Sequence, residues 1–570
     1  MRDTLAEAGR RPLALLLLVT IAVMTPALWG EFVYDDIPLI VQNPRVHSLT
    51  DAIFQPLWGD EFPYWRPFAG FLMSLSLATG GAIVLHGISL AIHLAATYVI
   101  FWFARDLTKS VSGAIFTATL FALHPVQVES VAWGSAVTDP LACLFVLCSL
   151  HSLVKWRRAG SHGTPIAVVA WCTLALLAKE TGVIALPAVI LLDLLVLRQP
   201  GTGGKRLYLG LGTALAAYLL ARMLVFGSMF AGLDRVQVDP SYVSDRLVTA
   251  PIENLGVFTR LLILPWPLLP FRDVAIQTSA GEFFAQAVWL VLPIGLLTWA
   301  WRSRRPVAIF GFGIALITML APAVRFNAIG NFPIADRHLY LAVFGCALAL
   351  APHGHSRRHV LAALSLGVVF AVIDSVQIPI WRSQANLIEH GLKYHPESPR
   401  LLNMQGNDLL RQYQEGQDPS ALQSAERSFS KSTANKRQTL TQDAQGWRGT
   451  REESQLGLAW CSLLRLQSQT GPDYQTAIQQ FEACTAAPGA PAEAWIGLGI
   501  SYGSAGRLEL AELALIKAVA MAPQNDRAQY NLGFLYAQTN RRAQAVTHLE
   551  HALRLQPANR GAASLLKQLR

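Results

Sequence analysis

Asp35 and Asp36 stand side by side in "EFVYDDIPLIV", residues 31–41, directly behind the apolar run "LALLLLVTIAVMTPALW". Adjacent carboxylates need not titrate alike. Each raises the other's pKa unless a donor or cation intervenes, so one can take a proton while the other positions it. A carboxylate at the lipid–water edge suits the general base that accepts a hydroxyl proton as a bond to that oxygen forms. The plainer role is helix capping, with "DDIPLI" opening a short interfacial helix. Two further stretches weigh against capping alone: "FPYWRPF" at 62–68 brings Tyr64 and Arg66, and "NAIGNFPIADRHLYL" at 327–341 brings Asp336 and Arg337. Acids and guanidiniums are costly to desolvate at a bilayer edge, so their gathering there marks a site. An anionic lipid headgroup would satisfy the arginines. His124, just before Pro125, with Glu129 and Asp139 close in sequence, is a candidate neighbour of that site. His93, in mid-helix, reads as a packing hydrogen bonder, and Lys179 with Glu180 as a snorkelling pair at a helix end.

The elements that must carry these groups are membrane helices. Of 570 residues, 52% are hydrophobic and only 15% charged, with a mean hydropathy of +0.35, so the chain is mainly a membrane protein. The formal charge of +9 lies in short basic clusters between apolar runs, where membrane topology accounts for it, and nucleic-acid binding is set aside. The six cysteines show no CxxC or zinc spacing. No metal ligand set converges in the sequence; a divalent ion on the acid pair is the alternative to metal-independent chemistry.

At 1.5 Å rise per residue, spans are expected near 12–29, 83–104, 111–124, 139–155, 164–179, 181–197, 207–226, 286–301, 307–322, 338–351 and 359–379, about eleven in all. The first is a retained helix rather than a cleaved leader. Arg10 and Arg11, Arg105 with Lys109, Lys155 with Arg157 and Arg158, Lys205 with Arg206, "RSRR" at 302–305 and "HSRRH" at 355–359 then share one side. By the positive-inside rule that side is cytoplasmic, as is the N-terminus, in the inner or plasma membrane if the cell is bacterial. The double Asp and everything after 380 lie outside. The stretch 250–271, with Pro265, Pro267 and Pro270, reads as a helix lying in or re-entering the interface, and 48–80, with Trp58, Tyr64, Trp65 and Phe68, as short helices on the membrane.

After about residue 385 a period of 34 appears: Leu498/Leu532, Gly499/Gly533, Tyr502/Tyr536, Ala511/Ala545, Leu515/Leu549, Ala518/Ala552 and Pro523/Pro557 coincide. This is a tetratricopeptide (TPR) signal. The clearest repeats are 492–525 and 526–559, with weaker ones near 458–491 and 400–434, a polar loop at 433–453, Cys484 as a small core residue and a closing helix from Gly561. The expected fold class is all-α: a polytopic helical bundle over 1–384, then a soluble α-solenoid over 385–570.

The ordered series "YDD", "YWRPF", "HGISLAIHLAATYVIF", "LFALHPVQVESVAW" followed by Asp139, "LLAKETGVIALP" and "ADRHLYL", then TPR repeats, resembles the transmembrane and tetratricopeptide repeat-containing glycosyltransferases, of GT-C fold and similar in layout to protein O-mannosyltransferases. The resemblance implies transfer of a sugar, mannose by that likeness, from a polyprenyl-phosphate donor to an acceptor hydroxyl outside the cytoplasm, with no cofactor. Asp35 and Asp36 would then be catalytic, Asp35 as base, and Arg66 and Arg337 phosphate-binding, with Tyr64, His124, Glu129, Asp139 and Asp336 beside the substrate. A protein or peptide acceptor would lie on the concave face of the repeats. The chain departs from the family's pattern where Trp65 parts Tyr64 from Arg66, and where "GSAVTD" replaces a more polar stretch after "HPV". The alternatives are a lipid or cell-surface glycan acceptor, a non-catalytic TPR scaffold, or a lipid transporter.

Overall fold

The structure is a computed structural model that describes residues 2–57, 64–197, 203–229, 246, 248–272, 278–324, 334–435, 450–487 and 489–570, with side chains from Gly9 onward. Trp58, the loop residues 327–333 and the polar stretch 436–449 lie outside the described residues. The described residues are helical, with no strand among them, and divide into two units, Met1–His390 and Gly391–Arg570.

In the first unit, eight helical stretches are long and apolar enough to cross a membrane: Gly9–Trp29, Ala82–Thr108, Gly134–Arg158, Glu180–Leu197, Gly204–Phe226, Ala280–Arg302, Pro306–Val324 and Arg357–Arg382. The other three expected segments are helices too, but shorter: Val111–Ala122, Ile166–Ala178 and Tyr340–Leu350. They stop early because Pro125, the Lys179–Glu180 turn and the Asp336–Arg337 turn interrupt the apolar runs. The Thr249–Ile263 helix, at 15 residues, spans about 22 Å and ends before Pro265. It buries Glu253, Asn254 and Thr259, with Asn254 Nδ2 donating to the Ala323 carbonyl at 3.3 Å, so it packs into the bundle. Leu49–Phe54 and Pro67–Thr79 are the short helices expected in 48–80.

Gly134–Arg158 and Pro306–Val324 are the most buried spans and Ala280–Arg302 the least. Pro306–Val324 and Tyr340–Leu350 meet backbone to backbone: a Cβ on Gly311 would come within 2.4 Å of the Gly345 oxygen, and one on Gly345 within 2.5 Å of the Gly311 oxygen. Small residues permit this approach where lipid gives helices no hydrophobic reason to associate. His93 ties the centre, with Nδ1 2.6 Å from the Tyr340 hydroxyl and Nε2 3.0 Å from the Ala122 carbonyl.

The loops sort by chemistry to opposite ends. At one end Arg158 pairs with Asp106 at 3.0 Å, Ser112 meets His355, and Gly203 abuts Trp156, which gathers the basic clusters. Just inside, Arg157 and Asp193 form a buried two-point pair at 2.6 Å, joined by the Tyr208 hydroxyl. At the other end lie 31–36, 64–66, 124–139, 179–180, 262–272 and 336–337.

The second unit stacks helix pairs Pro399–Gly416 with Pro419–Ala434, Thr450–Gln467 with Gln475–Ala486, Ala492–Ser504 with Leu508–Met521 and Asp526–Gln538 with Arg542–Leu555, followed by Arg560–Leu569. Leu498, Ala511, Leu515 and Ala518 are buried, as are their 34-residue counterparts Leu532, Ala545, Leu549 and Ala552. Gly499 and Gly533 leave room for Leu515 and Leu549, and Asn525 and Asn559 cap the following helices by accepting amide N–H bonds at 3.0 Å. Cys484 is a buried core residue.

Candidate active site

Leaving the first span, the chain turns sharply at Tyr34, whose φ of 52° is left-handed, a conformation a bulky residue adopts only when its surroundings hold it there. Three contacts do so. The Tyr34 amide donates to Gln384 Oε1 at 2.7 Å, the Glu31 amide donates to the Arg382 carbonyl at 3.0 Å, and the Tyr34 ring stands edge-on to Phe271 at 5.1 Å. The turn sends the two acids to different surroundings. Asp36 is fully buried, and its carboxylate accepts bonds from the Val33 amide at 3.2 Å, the Ser135 amide at 2.6 Å and the Ser135 hydroxyl at 2.5 Å. Burial pushes its carboxyl up to about 7; the Ser135 and Val33 bonds oppose this and the charge of Asp35 adds to it. Asp35 is half-buried, and its charge acts on both Asp36 and Arg337.

Arg66, at the N-terminal cap of Pro67–Thr79, donates from Nε at 2.9 Å and Nη2 at 2.7 Å to Glu180 Oε2, with Tyr64 under its guanidinium at 4.3 Å. Lys179 binds Asp139 at 2.5 Å. Burial lowers the Lys179 pKa; Asp139 opposes that shift, and the cations Arg66 and Arg337 add to it. Those mutual effects place Asp139, Lys179, Arg66 and Arg337 within one electrostatic neighbourhood.

Glu129 organises the far side. Its Oε2 accepts the amides of Asp336 at 2.8 Å and Arg337 at 3.2 Å, while Oε1 accepts Arg337 Nη1 at 2.5 Å. The Arg337 guanidinium lies over the Trp133 ring at 4.8 Å, and Trp133 stacks on Trp381 at 5.7 Å. Asp336 points to Arg272 instead, at 2.5 Å; burial raises its carboxyl to about 6, with Arg272 opposing and Glu129 reinforcing the shift. His124 stands apart from the charges: its Nε2 meets the Leu262 carbonyl at 3.2 Å, its ring lies 4.8 Å from Phe370, and burial lowers its pKa to about 4, so it is a neutral helix tie. The structure thus brings Asp35, Asp36, Tyr64, Arg66, Glu129, Asp139, Asp336 and Arg337 to one end of the bundle. Among the described residues no group of three His, Cys, Asp or Glu side chains is placed to hold a metal ion.

A tetratricopeptide-repeat family model matches residues 492–525 and 526–559. Protein O-mannosyl-transferase F38B6.6 of Caenorhabditis elegans is 24% identical over 418 residues, covering 69% of this chain and 59% of its own length. Protein O-mannosyl-transferase TMTC4 of Homo sapiens is 26% identical over 458 residues, covering 67% of this chain and 61% of its own. Protein O-mannosyl-transferase Tmtc2 of Drosophila melanogaster is 31% identical over 186 residues, or 30% of this chain and 20% of its own. This chain resembles the protein O-mannosyl-transferases. It spans about 60% of the length of the first two relatives.

Against that resemblance, four site residues went unremarked or under-weighted in the sequence. Lys179 and Glu180 read as a snorkelling pair but are the partners of Asp139 and Arg66. Ser135 sits inside "GSAVTD", the stretch that departs from the family's pattern, and supplies the strongest bonds to Asp36. Arg272 follows a proline-rich run that masked it. For Lys179, Glu180 and Arg272 a signal was present, since a charged residue at the end of an apolar run needs a partner; for the uncharged Ser135 there was none.

Proposed function

We propose that this chain is a membrane-embedded glycosyltransferase that moves mannose from a polyprenyl-phosphate carrier to a Ser or Thr hydroxyl of a protein, on the extracytoplasmic side and with inversion. The observation that carries this reading is the convergence of a half-buried carboxylate, Asp35, with the cations Arg66, Lys179 and Arg337 at one end of the helical bundle. The names of the relatives support the sugar and the acceptor class.

In the reaction the acceptor oxygen attacks the anomeric carbon as the bond from that carbon to the phosphate oxygen breaks. Asp35 takes the hydroxyl proton, and the electron pair leaves with the polyprenyl phosphate. Asp36, saturated by Ser135 and Val33, holds the turn and keeps Asp35 in place. The phosphate gains charge as it departs, and donors already fixed by their partners stabilise it without reorganising. Arg337 is such a donor: Glu129 and Trp133 lock it, while its Nε and Nη2 have no hydrogen-bond partner among the described residues. Attack opposite the leaving group inverts the anomeric centre. Neither step requires a metal. The basic loops at the other end mark the cytoplasmic face, and the concave side of the repeats presents the acceptor polypeptide.

Purified protein in lipid nanodiscs, given polyprenyl-phosphate mannose and Ser/Thr peptides, tests this. Wild type should transfer mannose and Asp35→Asn should not. No transfer by wild type, or equal transfer by Asp35→Asn and Arg337→Ala, would remove the assignment.

A further inference from the structure

Helix Leu508–Met521 of the third helix pair buries Ala511, Ala514, Leu515 and Ala518. Its opposite face is apolar as well: Leu510, Leu513 and Ile516, three residues apart, stand exposed, Leu513 by 65%. The repeat does not require this. One period back the same positions hold Thr476, Gln479 and Glu482, and one period on they hold Gln544, Thr547 and Glu550. An apolar stripe in water, on the one helix whose two counterparts are polar there, marks a contact with another molecule. Glu509 and Lys517 flank the stripe, both exposed, and with about 12 Å of helix rise between them they do not reach each other. Neither has an ion-pair partner among the described residues, unlike Glu512, which pairs with Arg541 at 2.7 Å.

We propose that this face is a self-association surface, on which two copies of the chain pair through antiparallel Leu508–Met521 helices about a two-fold axis at Leu513. The pattern is self-complementary. A two-fold axis there sets each residue before Leu513 opposite the residue equally far after it in the second copy. Leu513 then meets its own mate, Leu510 meets Ile516 of the second copy, and Glu509 meets Lys517 of the second copy, each pair occurring twice. Further out, Ala520 and Met521 fall against the small residues Gly506 and Ala505. The helical wheel agrees: Glu509 and Lys517 lie about 40° to either side of Leu513, and Leu510 and Ile516 about 60°, so both pairs coincide once the second helix is turned over. The charges select this occupant over a lipid surface, since a helix lying on anionic lipid carries Lys and Arg beside its apolar stripe, whereas Glu509 stands here as the exact counterpart of Lys517. The contact is one pair of 14-residue helices, at or below the about 1,200 Å2 of a lasting complex, so it forms reversibly. Confinement of both copies to one bilayer raises their effective concentration.

The test follows the mass of the full chain in detergent against concentration by analytical ultracentrifugation, and it does not depend on the transferase reading. Wild type should dimerise reversibly. Leu513→Asp, which sets two carboxylates on the axis, should abolish the dimer. Glu509→Lys and Lys517→Glu should each weaken it by about 10-fold, because each turns two attractions into repulsions, and the double exchange should restore it. All three positions are exposed, so melting temperatures should stay at the wild-type value. Oxidation should link Leu513→Cys chains into dimers but not Thr547→Cys chains, which carry the thiol at the same place one repeat on. A wild type that stays monomeric, a dimer indifferent to Leu513→Asp, or a double exchange no better than the single ones would each overturn the proposal. A bimane label on Leu513→Cys already shielded from water in nanodiscs holding one copy would overturn it too, and would give the face to the bilayer.

Discussion

Ser135 gives Asp36 Oδ1 two hydrogen bonds at once, from its amide at 2.6 Å and its hydroxyl at 2.5 Å, across 99 positions of sequence. One short loop therefore fixes the place of a buried carboxyl and opposes the upward push of burial on its pKa. Ser135→Ala keeps the amide bond and loses the hydroxyl. The Asp36 carboxyl should rise further above about 7, and stability should fall by about 1–3 kcal/mol, the usual effect of removing a hydrogen bond to a charged group. Denaturation in nanodiscs at pH 8 checks this; no loss of stability would show that the hydroxyl is idle.

Stability should depend on pH through the same group. Burial lifts the Asp36 carboxyl from about 4 unfolded to about 7 folded, so between those values the folded chain holds more protons than the unfolded one. The contribution is fully favourable below about pH 4 and is lost as pH rises through 7. Asp336, raised to about 6, acts with the same sign. Melting temperatures recorded from pH 5 to 8 should fall with pH more steeply for wild type than for Asp36→Asn; parallel curves would contradict the assignment.

Replacing Arg337 with Ala should lower kcat by about 100- to 1000-fold, the range for loss of one preorganised donor to developing charge. Arg337→Lys should recover little, because a point charge cannot both bind Glu129 and reach the phosphate with a second fixed N–H. Steady-state turnover of the two variants decides, and full activity of Arg337→Lys would favour simple charge attraction.

Gly134 packs tightly against the acid: a Cβ there would sit 3.1 Å from Asp36 Oδ2 and 3.1 Å from Leu85 Cδ2, so both side chains would have to shift. Gly134→Ala should cost about 1–3 kcal/mol of stability and lower turnover by displacing Asp36. A wild-type rate in this variant would mean that the position of Asp36 matters little to catalysis.

At the helix contact, Gly311→Val drives side-chain atoms into the Gly345 backbone, since even a Cβ would lie 2.4 Å from that oxygen. The Asp336–Leu339 turn directly precedes the helix that would shift. The variant should therefore lose both thermal stability and donor binding, read by melting and by equilibrium binding; stable protein with normal binding would separate the packing from the site.

The sequence was legible where one residue type had one physical reason. Apolar runs marked the eight described stretches that are long and apolar enough to cross a membrane, while three of the eleven expected spans are shorter helices. The 34-residue period marked the repeats, because Leu515 and Leu549 must each find a facing glycine. Helix ends were less legible, since Val111–Ala122 stops where the His124–Pro125 step disfavours further helix, and a hydropathy window does not register that. Acids and arginines could be nominated, but not matched: Arg66 chooses Glu180 over 114 positions, and Asp336 chooses Arg272 over its neighbour Arg337. Those choices depend on loops whose register only the folded chain supplies, and the same holds for Ser135.

The Tyr34 amide is held by a side chain 350 residues away, at Gln384. The turn that carries Asp35 and Asp36 is therefore not fully held until a segment near the end of the first unit has been made and has folded back onto it. A fragment that ends before Gln384 would carry both aspartates without the contact that fixes their turn.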